Sequence, residues 1–576
     1  MTLLCVASKG LSPTRRQVSR IRTYVPSISR SLSLYQKPSF QNEPTKAYAR
    51  GSPELAGITK ALEDLKAKLP VQLPLQIGSE NIKSPISAQI NPARHSQVIA
   101  EWVPARKSDI KKAIDAALAA KPSWENLPFE DRAAVFLRAA ELISGKYRYP
   151  LMAATMLNQG KNIREAEIDA AAESCDLLRF NVQCAMDMFK QQPAINSKGM
   201  WNRLEYRPLE GFVYAIAPFN FTALCATLAC GPLLMGNVVI LKPSLSALHS
   251  SWLFHQILLE AGLPKDVLQF VPGDAEEITN AVLESRDFAG LNFTGSTHVF
   301  RNLIAKIGIA TGEGRFLSYP RIVGETGGKN FHLIHESAEI ESAVNCTIRG
   351  AFEFQGQKCS APSRLYVSES VWPDFKRSLL QKMNTIKVGS PENPENYINP
   401  IIHEQAFDRM VDLFERAKSD ANLTLITGGK AEKDVGFYVY PTVYQTTDPQ
   451  HEIMQTEYFG PMFSVYVFPD NEWESIPKLI DTTSSYALTG SIFAKDPSAI
   501  RFACDALKHS AGNFYVNTKS TGSVVGQQPF GGSRGSGTND KVGSVNTLSR
   551  FVSVRTVKEE FDETTEFSYP NFQSED

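Results

Sequence analysis

From Gly211 to Phe293 the chain alternates short apolar runs with amphipathic stretches, and this rhythm restricts the fold more than any other feature. Strands are predicted over 212–217, 237–242, 267–271 and 288–293, separated by helices over 222–235, 246–261 and 275–284, with Gly262 stopping the second helix. Strand, helix, strand is the pattern of a parallel sheet, because parallel strands need a long crossover that returns over the sheet. An α/β fold with a dinucleotide-binding layout follows. In such sheets ligands lie beyond the carboxyl ends of the strands, where loops run into helix N-termini.

Those strand ends carry the relevant residue types: Pro218-Phe-Asn-Phe221 after the first, Lys242-Pro-Ser244 after the second and Thr294-Gly-Ser296 after the fourth. Gly295 and Ser296 can bring N–H groups and a hydroxyl against a pyrophosphate, and Lys242 can bond ribose hydroxyls or a phosphate. Taken singly, each is also an ordinary turn or helix cap, and no GxGxxG fingerprint is present. Their recurrence at three strand ends of one sheet points to a cofactor.

A second candidate lies at 353–364, where Cys359 sits between small and polar residues just after Gly356. A thiol attacks as thiolate, and a partly exposed, donor-rich setting is expected to lower its pKa. The same residue also reads as a buried structural cysteine. Helical patterns occupy 53–75, ending near Pro70, then 107–120 with Ser108 as its opening residue, 130–146 and 165–188. On pattern alone Glu173, within the last, is a surface carboxylate.

Composition removes other classes. A formal net charge of −1 predicts no broad attraction to nucleic acid or anionic lipid. The eight cysteines show no CxxC spacing, so no metal site is expected. The apolar stretch 223–241 is interrupted by Gly231-Pro232 and Gly236-Asn237, so no membrane span is expected. The first 42 residues contain no Asp or Glu but carry Lys9, Arg15, Arg16, Arg20, Arg22, Arg30 and Lys37 among many serines. This is the composition of a mitochondrial transit peptide, placed at 1–45, although a basic tail without structure has the same composition.

Seven ordered motifs resemble the aldehyde dehydrogenase family: Pro218-Phe-Asn-Phe221, Lys242-Pro-Ser244, Phe293-Thr-Gly-Ser-Thr297, Glu325-Thr-Gly-Gly-Lys329, Gly356-Gln-Lys-Cys359, Glu457-Tyr-Phe-Gly-Pro461 and Pro529-Phe-Gly-Gly532. The resemblance spans about 55–563. It implies a Rossmann-like NAD-binding part over 50–324 with a flap segment at 197–210, and a catalytic part over 325–530. The stretch 531–576 would return to the first part; an oligomerisation flap is placed at 201–209 together with a strand near 551–557, and an edge strand at 550–557 that pairs with a neighbour would make the protein at least a dimer.

By the same resemblance Cys359 is the nucleophile, Asn220 and the Cys359 N–H form an oxyanion hole, and Glu325 activates water. Pro218, Phe219, Lys242, Ser244, Gly295 and Ser296 hold NAD, with Glu457 and Phe459 at its nicotinamide end. The stretch from Ser520 to Lys541 resembles the branch oxidising L-glutamate γ-semialdehyde, the open form of Δ1-pyrroline-5-carboxylate. There Gly522 and Ser523 would anchor the α-carboxylate, Phe530 would pack on the methylenes, and Glu173 would face the amine. Mitochondrial matrix location and a functional link to a proline dehydrogenase, supplying the substrate, are implied with it. No acidic residue follows Lys242-Pro-Ser244 closely, which leaves tolerance of NADP open. Another aldehyde as substrate, or a catalytically silent binding protein, are the competing readings.

Overall fold

The computed structural model describes residues 39–78 and 80–572. Most of the predicted leader therefore lies outside the described residues. Asn42, Glu43 and Lys46 are hydrogen-bonded to Asp176 and Glu167, so the packed body begins before residue 45.

Five parallel strands form the first sheet, in the order Arg321–Glu325, Phe288–Thr294, Phe212–Ile216, Val238–Lys242 and Leu268–Phe270. Their runs are apolar on both faces because helices cover both sides of a parallel sheet. From Phe212–Ile216 the chain winds outward through two strands, then crosses back to Phe288–Thr294 on the other side of the starting strand. That reversal leaves a crevice at the carboxyl ends of Phe212–Ile216 and Phe288–Thr294. The helix Ala275–Glu284 falls where expected, and Gly262 takes a φ of +102° just beyond the helix Leu248–Glu260.

A second sheet has seven strands, ordered Leu423–Thr427, Thr442–Thr446, Met462–Phe468, Pro362–Ser368, Asn330–Ile334, Thr489–Phe493 and Asn513–Val516. All pairs are parallel except the edge pair of Leu423–Thr427 with Thr442–Thr446. The chain passes from one sheet to the other between Glu325 and Asn330. A long two-stranded ribbon pairs Met200–Pro208 with Val552–Glu560, antiparallel, with Val552 opposite Pro208.

Several sequence expectations are corrected. The helix expected over 222–235 is split into Leu224–Leu228 and Cys230–Leu234. Pro232 has no N–H to give to the Leu228 carbonyl, which instead accepts from Asn292 Nδ2 at 3.0 Å. Ser108 does not open its helix. Lys107–Glu125 starts at Arg106, whose N–H is satisfied by Asp109 at 3.0 Å. The lead-in helix ends at Lys66, and the next residues form a small sheet of Val71–Leu73, Arg94–Trp102 and Ser87–Asn91. The run expected over 165–188 contains a π-helical turn, Glu167–Glu173, between Ile163–Ala166 and Ser174–Phe189. Among the described residues no helix is long and apolar enough to cross a membrane.

Candidate active site

The backbone that presents Cys359 is bent by unusual means. After the helix Ile340–Phe352 come Phe354, Gln355 and Gly356, all at positive φ (52°, 55° and 66°). Left-handed L residues cost roughly 1–2 kcal/mol each, so this turn persists only because its surroundings hold it. The Phe354 N–H donates to Glu165 Oε1 at 2.6 Å. The buried Gln355 amide donates to the carbonyls of Gly160 and Pro400 at 3.0 and 3.1 Å and accepts from Asn399 N–H. A Cβ on Gly356 would overlap the Gly460 carbonyl. The turn re-aims the chain so that Cys359 reaches the crevice of the first sheet.

Behind the turn lies a buried ion pair, Lys161 Nζ to Asp169 Oδ2 at 2.6 Å, with the ammonium between the rings of Phe221 and Phe354 at 4.2 and 4.4 Å. Asp169 also accepts from the N–H groups of Thr222 and Ala223. One carboxylate on the π-helical turn thereby fastens the loop carrying Asn220 to the loop carrying Cys359. Removing one member of such a pair strands the other charge in the interior. Asp169→Ala is therefore expected to lower unfolding stability by about 3–5 kcal/mol, read from the denaturant midpoint.

Cys359 keeps part of its surface open to the crevice, but its thiol is not lowered as the sequence suggested. Burial, with the negative charges of Glu457 and Glu325 behind it, pushes it up to about 12, against the pull of the N–H groups of Cys359 and Ser360. Asn220, 4% exposed, donates one amide N–H to the Gln357 carbonyl at 3.1 Å, and an amide nitrogen has a second to offer. Glu325 ends the last strand of the first sheet. Its Oε2 accepts from Gly532 N–H at 3.2 Å, while its Oε1 is buried without a partner. Burial holds this carboxyl well above the usual carboxylate range.

Cys359 and Asn220 share one cleft of about 910 Å³ with Pro218, Phe219, Lys242, Ser244, Gly295, Ser296, Glu457 and Phe459. All three strand-end loops singled out in the sequence thus contribute residues to a single space, Phe221 and Pro243 alone among them standing outside it. Glu457 Oε1 accepts from Gly328 N–H at 2.8 Å, and burial pushes its carboxyl up to about 7. Phe459, held at φ +56°, meets the Phe219 ring edge-on at 5.9 Å. Ser296 also caps the helix Thr297–Gly312 through Val299 N–H.

Such a cleft suits a dinucleotide: a helix N-terminus and Gly295 for phosphates, a lysine at a strand end, and a carboxylate for hydroxyls. Sequence reasoning missed Glu276, Thr279, His403 and Arg409, which also line it. Glu276, from the helix Ala275–Glu284, is an acidic residue of this lining.

Gly522, Ser523, Phe530 and Glu173 do not line the cleft, though the chain just ahead of Gly522 is tied to the residues around Cys359. Lys519 and Lys358 share the Glu353 carboxylate at 2.7 and 2.9 Å, and the Ser520 hydroxyl donates to the Ser360 carbonyl at 3.4 Å. Gly522 turns at φ +82°. Phe530 bridges to Val542, one residue before Gly531 passes Glu325. Glu173 is not a surface carboxylate. It sits largely buried at the end of the π-helical turn, and burial pushes it up to about 8, with Asp169 adding to the rise and Lys161 and Lys358 opposing it.

The profile described as the aldehyde dehydrogenase family matches residues 80–557. The mitochondrial delta-1-pyrroline-5-carboxylate dehydrogenase of Emericella nidulans is 52% identical over 98% of this chain and 98% of its own. The human mitochondrial protein of the same name is 46% identical over 92% and 94%. Among solved structures, the Mycobacterium tuberculosis delta-pyrroline-5-carboxylate dehydrogenase bound with NAD is 45% identical. It has a TM-score of 0.90 and covers 94% of this chain and 100% of that one.

Proposed function

The chain belongs to the aldehyde dehydrogenase family, and from that premise we propose that this site oxidises L-glutamate γ-semialdehyde, formed from Δ1-pyrroline-5-carboxylate, to L-glutamate. The observation that carries the catalytic reading is that Cys359 and Asn220 share the dinucleotide-shaped cleft, while the Glu325 carboxyl, its Oε1 unpartnered, lies close enough to Cys359 for its charge to raise the thiol.

In this reading Cys359 Sγ adds to the aldehyde carbon, giving a thiohemiacetal whose oxygen is met by Asn220 Nδ2 and the Cys359 N–H. Preorganised donors of this kind contribute about 3–4 kcal/mol each at the transition state. NAD, when bound, supplies the hydride acceptor. Pro218, Phe219, Lys242, Ser244, Gly295 and Ser296 would hold it, with Glu457 and Phe459 at the nicotinamide end. The resulting thioester on Cys359 is hydrolysed by a water whose proton Glu325 Oε1 takes. A carboxyl raised by burial is a stronger base than an exposed one.

For the substrate's far end, Gly522 and Ser523 bind the α-carboxylate, Phe530 covers the methylenes and Glu173 faces the amine. We read the first sheet, with 531–576 returning to it, as the cofactor part and 325–530 as the catalytic part. The ribbon of Met200–Pro208 and Val552–Glu560 leaves Trp201 and Val554 about half exposed, which suits an edge that pairs with a second copy. The basic leader and the mitochondrial naming of the relatives support the matrix as its location. A proline dehydrogenase would supply the substrate.

The test is NADH formation by purified protein offered Δ1-pyrroline-5-carboxylate, succinate semialdehyde and propanal. A strong preference for the first is the expected outcome, and equal rates on all three would remove the substrate assignment. Ser523→Ala is expected to raise KM for the carboxylate-bearing substrate about tenfold or more, the loss of a hydrogen bond to a charged group, and to spare propanal.

A further inference from the structure

The segment ahead of the first helix reaches the loop that reads the substrate. Asn42 Nδ2 donates to Asp176 Oδ2 and to the Val525 carbonyl, both at 2.8 Å, and its Oδ1 accepts from Gln527 Nε2 at 2.9 Å. Both amide N–H groups and the oxygen are thus engaged. Neighbouring residues fix Asn42 to the body. Glu43 N–H donates to Asp176 Oδ1, and its carboxylate bridges Arg148 and Arg179 at 2.7 Å each. Lys46 N–H and the Tyr48 hydroxyl both bond Glu167.

The loop itself is otherwise held mainly by its own turns. Gln527 and Gln528 N–H groups return to the Val524 carbonyl, and Val524 N–H goes to Gln528 Oε1. Gly522 and Gly526 both have positive φ, and most residues between 522 and 529 are exposed. Gly526 rests against Phe180, where a Cβ would come within 2.6 Å of the ring. Phe180 and Asp176 lie on the helix Ser174–Phe189, and Asp176 is three residues beyond Glu173, on the same helical face. Asn42 therefore joins the loop of Ser523 to the helical run of Glu173.

We propose that Asn42 is a positioning residue for substrate selection: it clasps the 522–528 turn to the helix beside Glu173, fixing the distance between the groups that read the substrate's carboxylate and amine. The proposal rests on the reading of Gly522 and Ser523 as the carboxylate anchor. Its corollary is that any maturation cut has to fall before Asn42 for the clasp to survive.

The test compares Asn42→Ala, Gln527→Ala and Ser523→Ala with the parent chain, measuring kcat and KM for Δ1-pyrroline-5-carboxylate and for propanal. Asn42→Ala is expected to raise KM for the first about five- to tenfold, with kcat nearly constant and propanal oxidation unchanged. Should Asn42→Ala fail to fold, Gln527→Ala, on the exposed loop, decides by the same criterion. An unchanged KM beside a raised one in Ser523→Ala would overturn the clasp and leave the anchor standing. An unchanged KM in all three would overturn the anchor and the clasp with it. Equal losses on both aldehydes would make Asn42 a structural residue and end the proposal.

Discussion

Cys359→Ala is expected to reduce aldehyde oxidation by about 10⁴-fold or more while leaving NAD binding within about twofold of the parent protein. The size follows from the chemistry, since without the sulfur no thiohemiacetal forms and no neighbouring group can take its place. Binding is spared because the cofactor contacts proposed here come from strand-end loops and from Glu457, which do not need the thiol. Steady-state rates together with calorimetric titration of NAD measure both halves. Residual turnover within tenfold of the parent would remove Cys359 as nucleophile. A thiol held near 12 adds a second expectation. Only the thiolate attacks, so alkylation of the cofactor-free protein by iodoacetamide should rise about tenfold per pH unit between 7 and 9, and Cys359→Ala should abolish that phase.

The first sheet was legible because its strands are buried on both faces. Continuous runs such as Val238–Lys242, bounded by Gly236 and Pro243, leave little else to read. Its loops were legible for the same reason, since a strand end in a parallel sheet is already a ligand position. The family resemblance singled out two extended stretches, 201–209 and 551–557, and the ribbon found there pairs Met200–Pro208 with Val552–Glu560.

What escaped the sequence was set by burial and distance. Glu173 looked solvated because its helix reads as a regular 3.6-residue pattern, and a π-helical turn rotates that pattern without leaving a trace in composition. The Cys359 setting looked donor-rich, and it is, yet desolvation and two carboxylates outweigh the two N–H groups. Val71–Leu73 and Ser87–Asn91 are too short to be told from loop by periodicity alone. Asn42 and Val525 are 483 residues apart, and no local pattern records such a contact.

Glu325→Gln is expected to stall the enzyme after one turnover, and the stall separates the two halves of the reaction. Formation of the thioester needs Cys359 and Asn220, so a burst of NADH equal to the site concentration should survive. Hydrolysis needs a base, and removal of a general base slows such a step about 10²- to 10⁴-fold. Glutamine keeps an oxygen for the Gly532 N–H, so the backbone contact at that end of the side chain is retained and the loss reports proton transfer. Mass spectrometry of the stalled protein should find the acyl group on Cys359. The pH dependence carries a sign as well. Burial raises the Glu325 pKa, and only the carboxylate takes a proton, so deacylation in the parent protein should climb about tenfold per pH unit below that pKa and level off above it. In Glu325→Gln that slope should vanish. A variant that turns over steadily, with the parent's pH profile, would place the base elsewhere and leave the unpartnered Oε1 of Glu325 without a catalytic role.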